Sequence, residues 1–271
     1  MTDRYAVIGH PIAHSKSPLI HMAFAAETGD DISYERILAP LDGFDACVEA
    51  FAAAGGRGLN VTMPFKLQAH ALARTHSARA RIAGAVNTLR REGDTWYGDN
   101  TDGVGLVRDL TQNLGVLLVG RDVLVLGAGG ATRGIVVPLL EQRPRTLTVA
   151  NRTVDKAVSL AADFTRHGEL RAASAAGLEG RRFDVVVNAA SDTGDDESLP
   201  WPPGLFAPDA VAYDLSYADE PTRFMRWAKA QGAGRTVDGL GMLIEQAAES
   251  FFVWRGVRPD TRRVFPLLRP G

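Results

Sequence analysis

The run Asp122-Val123-Leu124-Val125-Leu126 leads directly into Gly127-Ala128-Gly129-Gly130 and then a helix-period stretch from about Ala131 to Leu140. No other feature limits the possible folds as strongly. A short apolar run with no polar alternation reads as a strand buried on both faces. Strand, Gly-x-Gly and helix in that order form the pattern of a dinucleotide-binding turn. The first glycine permits the tight turn, the second lets the backbone approach a pyrophosphate, and the helix N-terminus offers free N–H groups to the anion. The third glycine of the longer motif would fall at Thr132, but Gly130 and Ala131 are small enough for close packing. An ordinary strand-to-helix connection is the alternative reading. Pro138 lies late in this helix and should weaken or bend its last turn.

The end of the next strand, Leu147–Ala150, selects the dinucleotide. In an NAD site an Asp or Glu about 20 residues after the first glycine takes the ribose 2′-hydroxyl. Here the corresponding place, 24 positions on (151 − 127), is Asn151, and the run is Asn151-Arg152-Thr153-Val154-Asp155-Lys156. No carboxylate stands there to repel a 2′-phosphate, while Arg152 and Lys156 would attract one. The pattern therefore favours NADP, the alternative being two solvated surface cations. Thr153 is placed to cap a helix running to about Phe164.

The same α/β rhythm runs through the rest of the chain. Ala6–Ile8, Ser33–Leu38, Gly58–Thr62, Thr88–Glu92, Asp184–Asn188 and Val211–Leu215 read as strands. Helices are expected from Ser17 to about Glu27, with Ser17 as cap and Pro18 at the first position, and over Phe44–Ala54, Phe65–Ala73, Thr222–Gln231 and Leu240–Arg255. In the last, Leu243, Ala247, Phe251 and Trp254 recur at helical spacing, which buries one face. Alternation of this kind implies mostly parallel sheets covered on both faces, arranged as two α/β lobes with a boundary between Asp102 and Arg121. Ser191–Ser198 is acidic and polar and reads as a loop.

Composition narrows the function classes. Lys plus Arg is 30 and Asp plus Glu is 32, so a dedicated nucleic-acid or anionic-membrane binder, which needs a basic excess, is not expected. The single cysteine, Cys47, rules out an internal disulfide and a cysteine metal cluster, and its place in Phe44–Phe51 makes it a small core residue. No apolar stretch reaches the roughly 18 residues of a membrane span. The N-terminus shows no signal-peptide pattern, so a cytoplasmic location is expected.

Three segments of the first lobe place polar residues where loops follow strands. In His10-Pro11-Ile12-Ala13-His14-Ser15-Lys16-Ser17-Pro18, Ser15 and Ser17 stand at a helix start, where hydroxyls and N–H groups suit a carboxylate. In Asn60-Val61-Thr62-Met63-Pro64-Phe65-Lys66, Lys66 lies in the first turn of a helix, against the dipole. An exposed surface lysine is the other reading. The third segment is Gly98-Asp99-Asn100-Thr101-Asp102-Gly103, with Asn87 upstream, where turn residues alone would also fit. His14, His21 and His70 show no metal-ligand spacing and read as surface or structural residues. No metal site is expected, and with no G-x-S-x-G elbow the serines are poor nucleophiles.

Together with Gly84-Ala85-Val86-Asn87-Thr88, Gly127-Ala128-Gly129-Gly130-Ala131, Asn151-Arg152-Thr153 and Asp238-Gly239-Leu240-Gly241-Met242-Leu243, these segments closely resemble shikimate dehydrogenase. The resemblance follows family order and spans nearly the whole chain. It implies an enzyme that interconverts 3-dehydroshikimate plus NADPH with shikimate plus NADP, on the route to chorismate and the aromatic amino acids. The family fold implies a substrate domain, residues 1–102 with 239–271, and a Rossmann-like NADP domain, residues 103–238, inserted into it. By position, Ser15, Ser17 and Tyr217 match residues that hold the substrate carboxylate. Thr62, Asn87, Asp102 and Gln246 match those that bind ring hydroxyls. Lys66 matches the catalytic lysine, paired with Asp102. Gly127, Ala128, Gly129, Gly130 and Ala131 match the pyrophosphate loop, and Asn151, Arg152, Thr153 and Lys156 match the 2′-phosphate segment. Leu215, where the family commonly has Met, and Gly239 match positions near the nicotinamide. A further departure is Asn188-Ala189-Ala190-Ser191, where the family often has Asn-Ala-Thr. Both departures concern packing around the cofactor.

Two other readings stay open on sequence alone. A broad-specificity quinate/shikimate dehydrogenase shares the fold, but its second serine position is often Thr, where this chain has Ser17. A non-catalytic NADP-binding sensor would have no need of both Lys66 and Asp102. Nothing in the sequence speaks for a purely structural protein. The family includes monomers and homodimers.

Overall fold

The computed structural model describes residues 2–190 and 199–269. The expected loop Ser191–Ser198 lies outside the described residues. The chain divides into two compact units, Met1–Leu106 with Leu243–Gly271, and Val107–Met242. The two crossings fall inside helices, where the sequence placed them at Asp102 and Asp238.

The first unit opens with β1 (Asp3–Gly9), α1 (Ser17–Thr28), β2 (Ile32–Leu38), α2 (Phe44–Ala53), β3 (Gly56–Val61) and α3 (Lys66–Leu72). It continues with β4 (Thr75–His76), α4 (Ala78–Ala83), β5 (Thr88–Glu92), β6 (Thr95–Asp99) and the start of α5 (Asp102–Arg108). Its six strands lie in the order β2-β1-β3-β5-β6-β4. The β2-β1-β3 half is parallel, but β5 runs antiparallel to both β3 and β6. Five of the six strands run the same way, since β6 and β4 point along β3, so the sheet is mostly parallel as expected, with β5 as its single antiparallel strand. The cause is a two-residue hairpin loop, Gly93-Asp94, with Gly93 at φ 58°, the left-handed conformation such loops require. The short strands β4 and β6 and helix α4 carry too little apolar periodicity to read from sequence. One face of the sheet packs a core of Ile8, Phe44, Val48, Phe51, Leu59, Phe65 and Leu89, with half-buried Cys47 against it, as a core residue should be.

The second unit contains β7 (Asp122–Leu126), α6 (Gly130–Glu141), β8 (Thr146–Ala150), α7 (Val154–Asp163), β9 (Leu170–Ala173), β10 (Phe183–Asn188), β11 (Phe206–Asp214), α8 (Arg223–Ala230) and β12 (Arg235–Val237). Its sheet order is β12-β11-β10-β7-β8-β9, and every pairing is parallel. This is a doubly wound sheet, whose ligand sites lie beyond the carboxyl ends of the strands where the order reverses, here at β7 and β10. The alternation of apolar strands with helices dictates it. Helix α6 runs through Pro138 to Glu141. Helix α9 (Leu240–Arg255) and α10 (Phe265–Leu268) close the chain. The expected buried face of α9 contains Ala247 and Phe251 at 0% exposure. It is wider than the sequence period implied, taking in Ile244, Glu245, Ala248 and Ser250. Among the described residues no helix is long and apolar enough to cross a membrane.

Candidate active site

In the first unit the polar residues converge at the carboxyl ends of β1 and β3. Lys66 is the first residue of α3, and its Nζ donates to Asp102 Oδ2 at 2.5 Å. Asp102 stands in the first turn of α5 with its side chain only 6% exposed. Its other oxygen, Oδ1, accepts from Asn87 Nδ2 at 2.9 Å. The same amide nitrogen lies 3.2 Å from Gln246 Oε1 and 2.9 Å from Thr101 Oγ1. Asn87 Oδ1 in turn accepts from the backbone N–H of Thr101 and the hydroxyl of Thr88, both at 2.9 Å. Lys66, Asn87, Asp102 and Gln246, from four separate stretches of chain, thus meet in one hydrogen-bonded cluster. Thr62 follows β3 directly and is half-buried, and its N–H donates to Ile8 O. An ammonium fixed by a carboxylate in this way is an arrangement able to exchange a proton with an oxygen placed against it.

The serine pair is organised differently from the sequence expectation. Ser17 is not the cap of α1. Lys16 occupies that position, without a side-chain hydrogen bond, and Ser17 begins the helix. It is the Ser15 hydroxyl that accepts the Ser17 N–H, at 3.3 Å, and donates to Ser17 Oγ at 3.1 Å. Both serines are buried. The Arg36 guanidinium on β2 grips the Ser15 carbonyl through Nε at 2.9 Å and Nη2 at 2.5 Å. Beside Arg36, Tyr34 donates its hydroxyl to Asn60 Oδ1 at 2.7 Å. Burial pushes the Tyr34 phenol well above its ordinary pKa, with smaller opposing pulls from the Ser17 hydroxyl and Arg36. His21, expected as structural, is fully buried and stacks on Tyr34 with ring centroids 4.4 Å apart. Burial lowers its pKa to about 3, so the ring is neutral.

Sequence reasoning missed Tyr34, Arg36 and Ser250 as neighbours of these groups. A signal existed for two of them. Tyr34 is an inward position of an alternating strand, and Ser250 follows Gln246 by one helical turn.

In the second unit the glycine turn is built as the sequence implied. Gly127 has φ 106°, and a Cβ there would lie 2.8 Å from Ala190 N. Gly129 and Gly130 face open space, since a Cβ on either would meet nothing within 4 Å. Helix α6 has no side-chain cap and no acidic residue in its first turn, so its leading N–H groups suit an anion. Thr132, at the position of the missing third glycine, is fully buried and donates its hydroxyl to Gly127 O at 2.9 Å, which ties the turn to the helix. Beyond β8, the Asn151 amide donates to Thr153 O at 2.9 Å. Thr153 occupies the N-cap position of α7, but its hydroxyl accepts no backbone N–H, contrary to the expected cap. Arg152 and Lys156 are exposed and form no ion pair among the described residues. A bare glycine turn with unpaired cations at the next strand end fits a phosphorylated dinucleotide. Gly239 has to be glycine, because a Cβ would lie 2.2 Å from Leu215 O. Tyr217 is half-buried on the loop after β11, which belongs to this unit, and Ser15 and Ser17 belong to the first. Among the described residues no group of three or more His, Cys, Asp or Glu side chains could hold a metal ion.

Fold and site define the class of dinucleotide-dependent α/β oxidoreductases. Comparison with known proteins narrows it. Residues 7–89 match the family description of the shikimate dehydrogenase substrate binding domain, residues 109–194 that of shikimate / quinate 5-dehydrogenase, and residues 239–264 that of the shikimate 5'-dehydrogenase C-terminal domain. A shikimate dehydrogenase (NADP(+)) from Chromobacterium violaceum is 55% identical over 269 residues, 99% of this chain and 98% of that protein. The crystal structure of the Thermus thermophilus shikimate 5-dehydrogenase, in complex with NADP(H) and shikimate, matches with a TM-score of 0.84 and 36% identity, covering 96% of both chains. The crystal structure of an Ael1 enzyme from Pseudomonas putida gives a TM-score of 0.88 and 47% identity, covering 98% of both chains. The chain belongs to the shikimate dehydrogenase family.

Proposed function

We propose that this protein reversibly reduces 3-dehydroshikimate to shikimate with NADPH, and that Lys66 and Asp102 carry the proton transfer. The observation that carries the reading is the Lys66–Asp102 contact at 2.5 Å, made inside a cluster of neutral hydrogen-bonding groups. NADPH, when bound, supplies the hydride that reduces the C3 carbonyl. The ammonium of Lys66 hydrogen-bonds the carbonyl oxygen and gives it a proton as charge develops there. In the reverse direction the neutral amine accepts that proton. Asp102 orients Lys66 and takes a neighbouring ring hydroxyl, with Thr62, Asn87 and Gln246 reading the remaining hydroxyls. Ser15, Ser17 and Tyr217 bind the carboxylate, with the Ser15 carbonyl held by Arg36. The first amides of α6, with Gly127 to Ala131, hold the pyrophosphate. Asn151, Arg152, Thr153 and Lys156 hold the 2′-phosphate, with Leu215 and Gly239 beside the nicotinamide. The cytoplasm, where thiols stay reduced, suits a chain with one cysteine.

The test is reduction of the dinucleotide by purified protein, followed by nicotinamide absorbance, with shikimate or quinate and NADP⁺ or NAD⁺. Fast turnover is expected only with shikimate and NADP⁺. Comparable turnover of quinate or NAD⁺ moves the protein to a broad-specificity dehydrogenase. Binding of NADPH without any turnover overturns the catalytic reading.

A further inference from the structure

Leading into the cluster is a chain of buried polar groups, of which Tyr34, Asn60, Ser250 and Thr88 enter no step above. The Tyr34 hydroxyl donates to Asn60 Oδ1 at 2.7 Å. Asn60 Nδ2 donates to Ser250 Oγ at 3.0 Å. Ser250 Oγ and Thr88 Oγ1 are 2.7 Å apart, and Thr88 donates to Asn87 Oδ1 at 2.9 Å. Asn87 Nδ2 then donates to Asp102 Oδ1 at 2.9 Å. Ser250 and Thr88 are 0% exposed, Asn60 5% and Asn87 3%, so each of these groups needs an internal partner.

Proton bookkeeping gives the chain one direction. Asn87 Oδ1, an amide oxygen, can only accept, and with the Thr88 proton given to it Thr88 accepts from Ser250. Ser250 has one proton and three oxygens within reach, Thr88 Oγ1 at 2.7 Å, Gln246 O at 3.0 Å and Thr101 Oγ1 at 3.2 Å, and the shortest contact completes the chain. At the outer end the raised pKa of Tyr34 keeps its hydroxyl a donor. Hydrogen bonds aligned in one sense polarise one another, and the last of them reaches a carboxylate.

We propose that Tyr34, Asn60, Ser250 and Thr88 are positioning residues, forming a one-directional hydrogen-bond relay across β2, β3, α9 and β5 that holds the Asn87 amide with its N–H toward Asp102. A reversed amide would turn its oxygen toward the Asp102 carboxylate and the Gln246 oxygen. The relay thereby fixes the carboxylate that orients Lys66. It rests on the reading that Lys66 and Asp102 transfer the proton.

The test uses Thr88→Val, which keeps the shape of the side chain and removes its hydroxyl, Thr88→Ser, which keeps the hydroxyl, and Ser250→Ala. Steady-state kinetics with shikimate and NADP⁺ are read beside a thermal melt. Thr88→Val and Ser250→Ala should each lower kcat by about 3- to 10-fold, the worth of one neutral hydrogen bond, with KM for NADP⁺ unchanged. Thr88→Ser should restore kcat. If a variant fails to fold, Tyr34→Phe, which removes only the outermost oxygen, carries the same readout. Folded Thr88→Val and Ser250→Ala enzymes turning over at the wild-type kcat would overturn the relay, as would a loss in Thr88→Ser equal to that in Thr88→Val. Retention of kcat by Lys66→Ala would instead overturn the underlying reading, and so separates the two failures.

Discussion

The cluster in the first unit and the glycine turn in the second are organised in opposite ways. Around Lys66 the polar groups already have partners. Asp102 uses both oxygens, Asn87 uses both ends of its amide, and the neighbouring hydroxyls are shared among themselves. On the second unit Gly129 and Gly130 face open space, α6 has no side-chain cap, and Arg152 and Lys156 form no ion pair among the described residues. The contrast separates two jobs. Groups that act on developing charge are held in place before the substrate arrives, so little reorganisation accompanies reaction. Groups that bind a polyanion keep their hydrogen-bonding capacity for the ligand, and their worth appears as affinity.

Substitutions on the two sides should therefore fail differently. The largest effect is expected for Lys66→Ala, which removes the positioned acid. Its kcat should fall by about 10²–10⁴ with little change in KM for shikimate. A rise in KM alone would make Lys66 a binding residue. On the other side, Arg152→Ala should weaken NADPH by about 10- to 100-fold, the range of a hydrogen bond to a charged group, while leaving NADH binding nearly unchanged. Equal losses for both dinucleotides in a fluorescence titration would remove the 2′-phosphate assignment. Gly127→Ala should act on both affinity and stability. It places a side chain at φ 106° and a Cβ 2.8 Å from Ala190 N. A cost of about 1–3 kcal/mol is expected, read as a lower Tm together with weaker NADPH binding. An unchanged Tm would mean that the turn relaxes freely.

The last expected effect concerns pH, taken one pH unit at a time, and belongs to the first unit alone. His21 has its pKa lowered from 6.5 to about 3 by burial. Below pH 6.5 the unfolded chain takes up a proton that the folded chain refuses, so the contribution is present at neutral pH and lost as pH falls toward 3. The slope is about 1.4 kcal/mol per pH unit at most. His21→Phe, which keeps an aromatic ring against Tyr34, should flatten the acid limb of the stability curve in urea titrations. The same slope in both proteins would count against a neutral buried ring.

The second unit was the more legible in sequence. Its strand β7, glycine turn and basic strand end each have a local pattern, because binding a polyanion uses backbone and unpaired cations near one another in the chain. In the first unit Lys66 stood out only as a cation at the wrong end of a helix. Its partners Asp102, Asn87 and Gln246 are far apart in sequence and were placed through the family resemblance. The roles of Ser15 and Ser17 at the start of α1 were exchanged, since either hydroxyl could accept an N–H and only the backbone path chooses. Thr132 looked like a missing glycine, whereas its buried hydroxyl ties down the turn. Tyr34 and Ser250 left only weak marks, an inward strand position and a one-turn spacing from Gln246, and neither mark shows that their hydroxyls join one buried chain.

The most direct test of this division is the single-turnover rate of hydride transfer, with NADPH and 3-dehydroshikimate both saturating, in Lys66→Ala and Arg152→Ala. The account predicts a rate about 10²–10⁴ below wild type for Lys66→Ala and a wild-type rate for Arg152→Ala once the cofactor is saturating. A slow Arg152→Ala enzyme at saturation, or a fast Lys66→Ala enzyme, would contradict it.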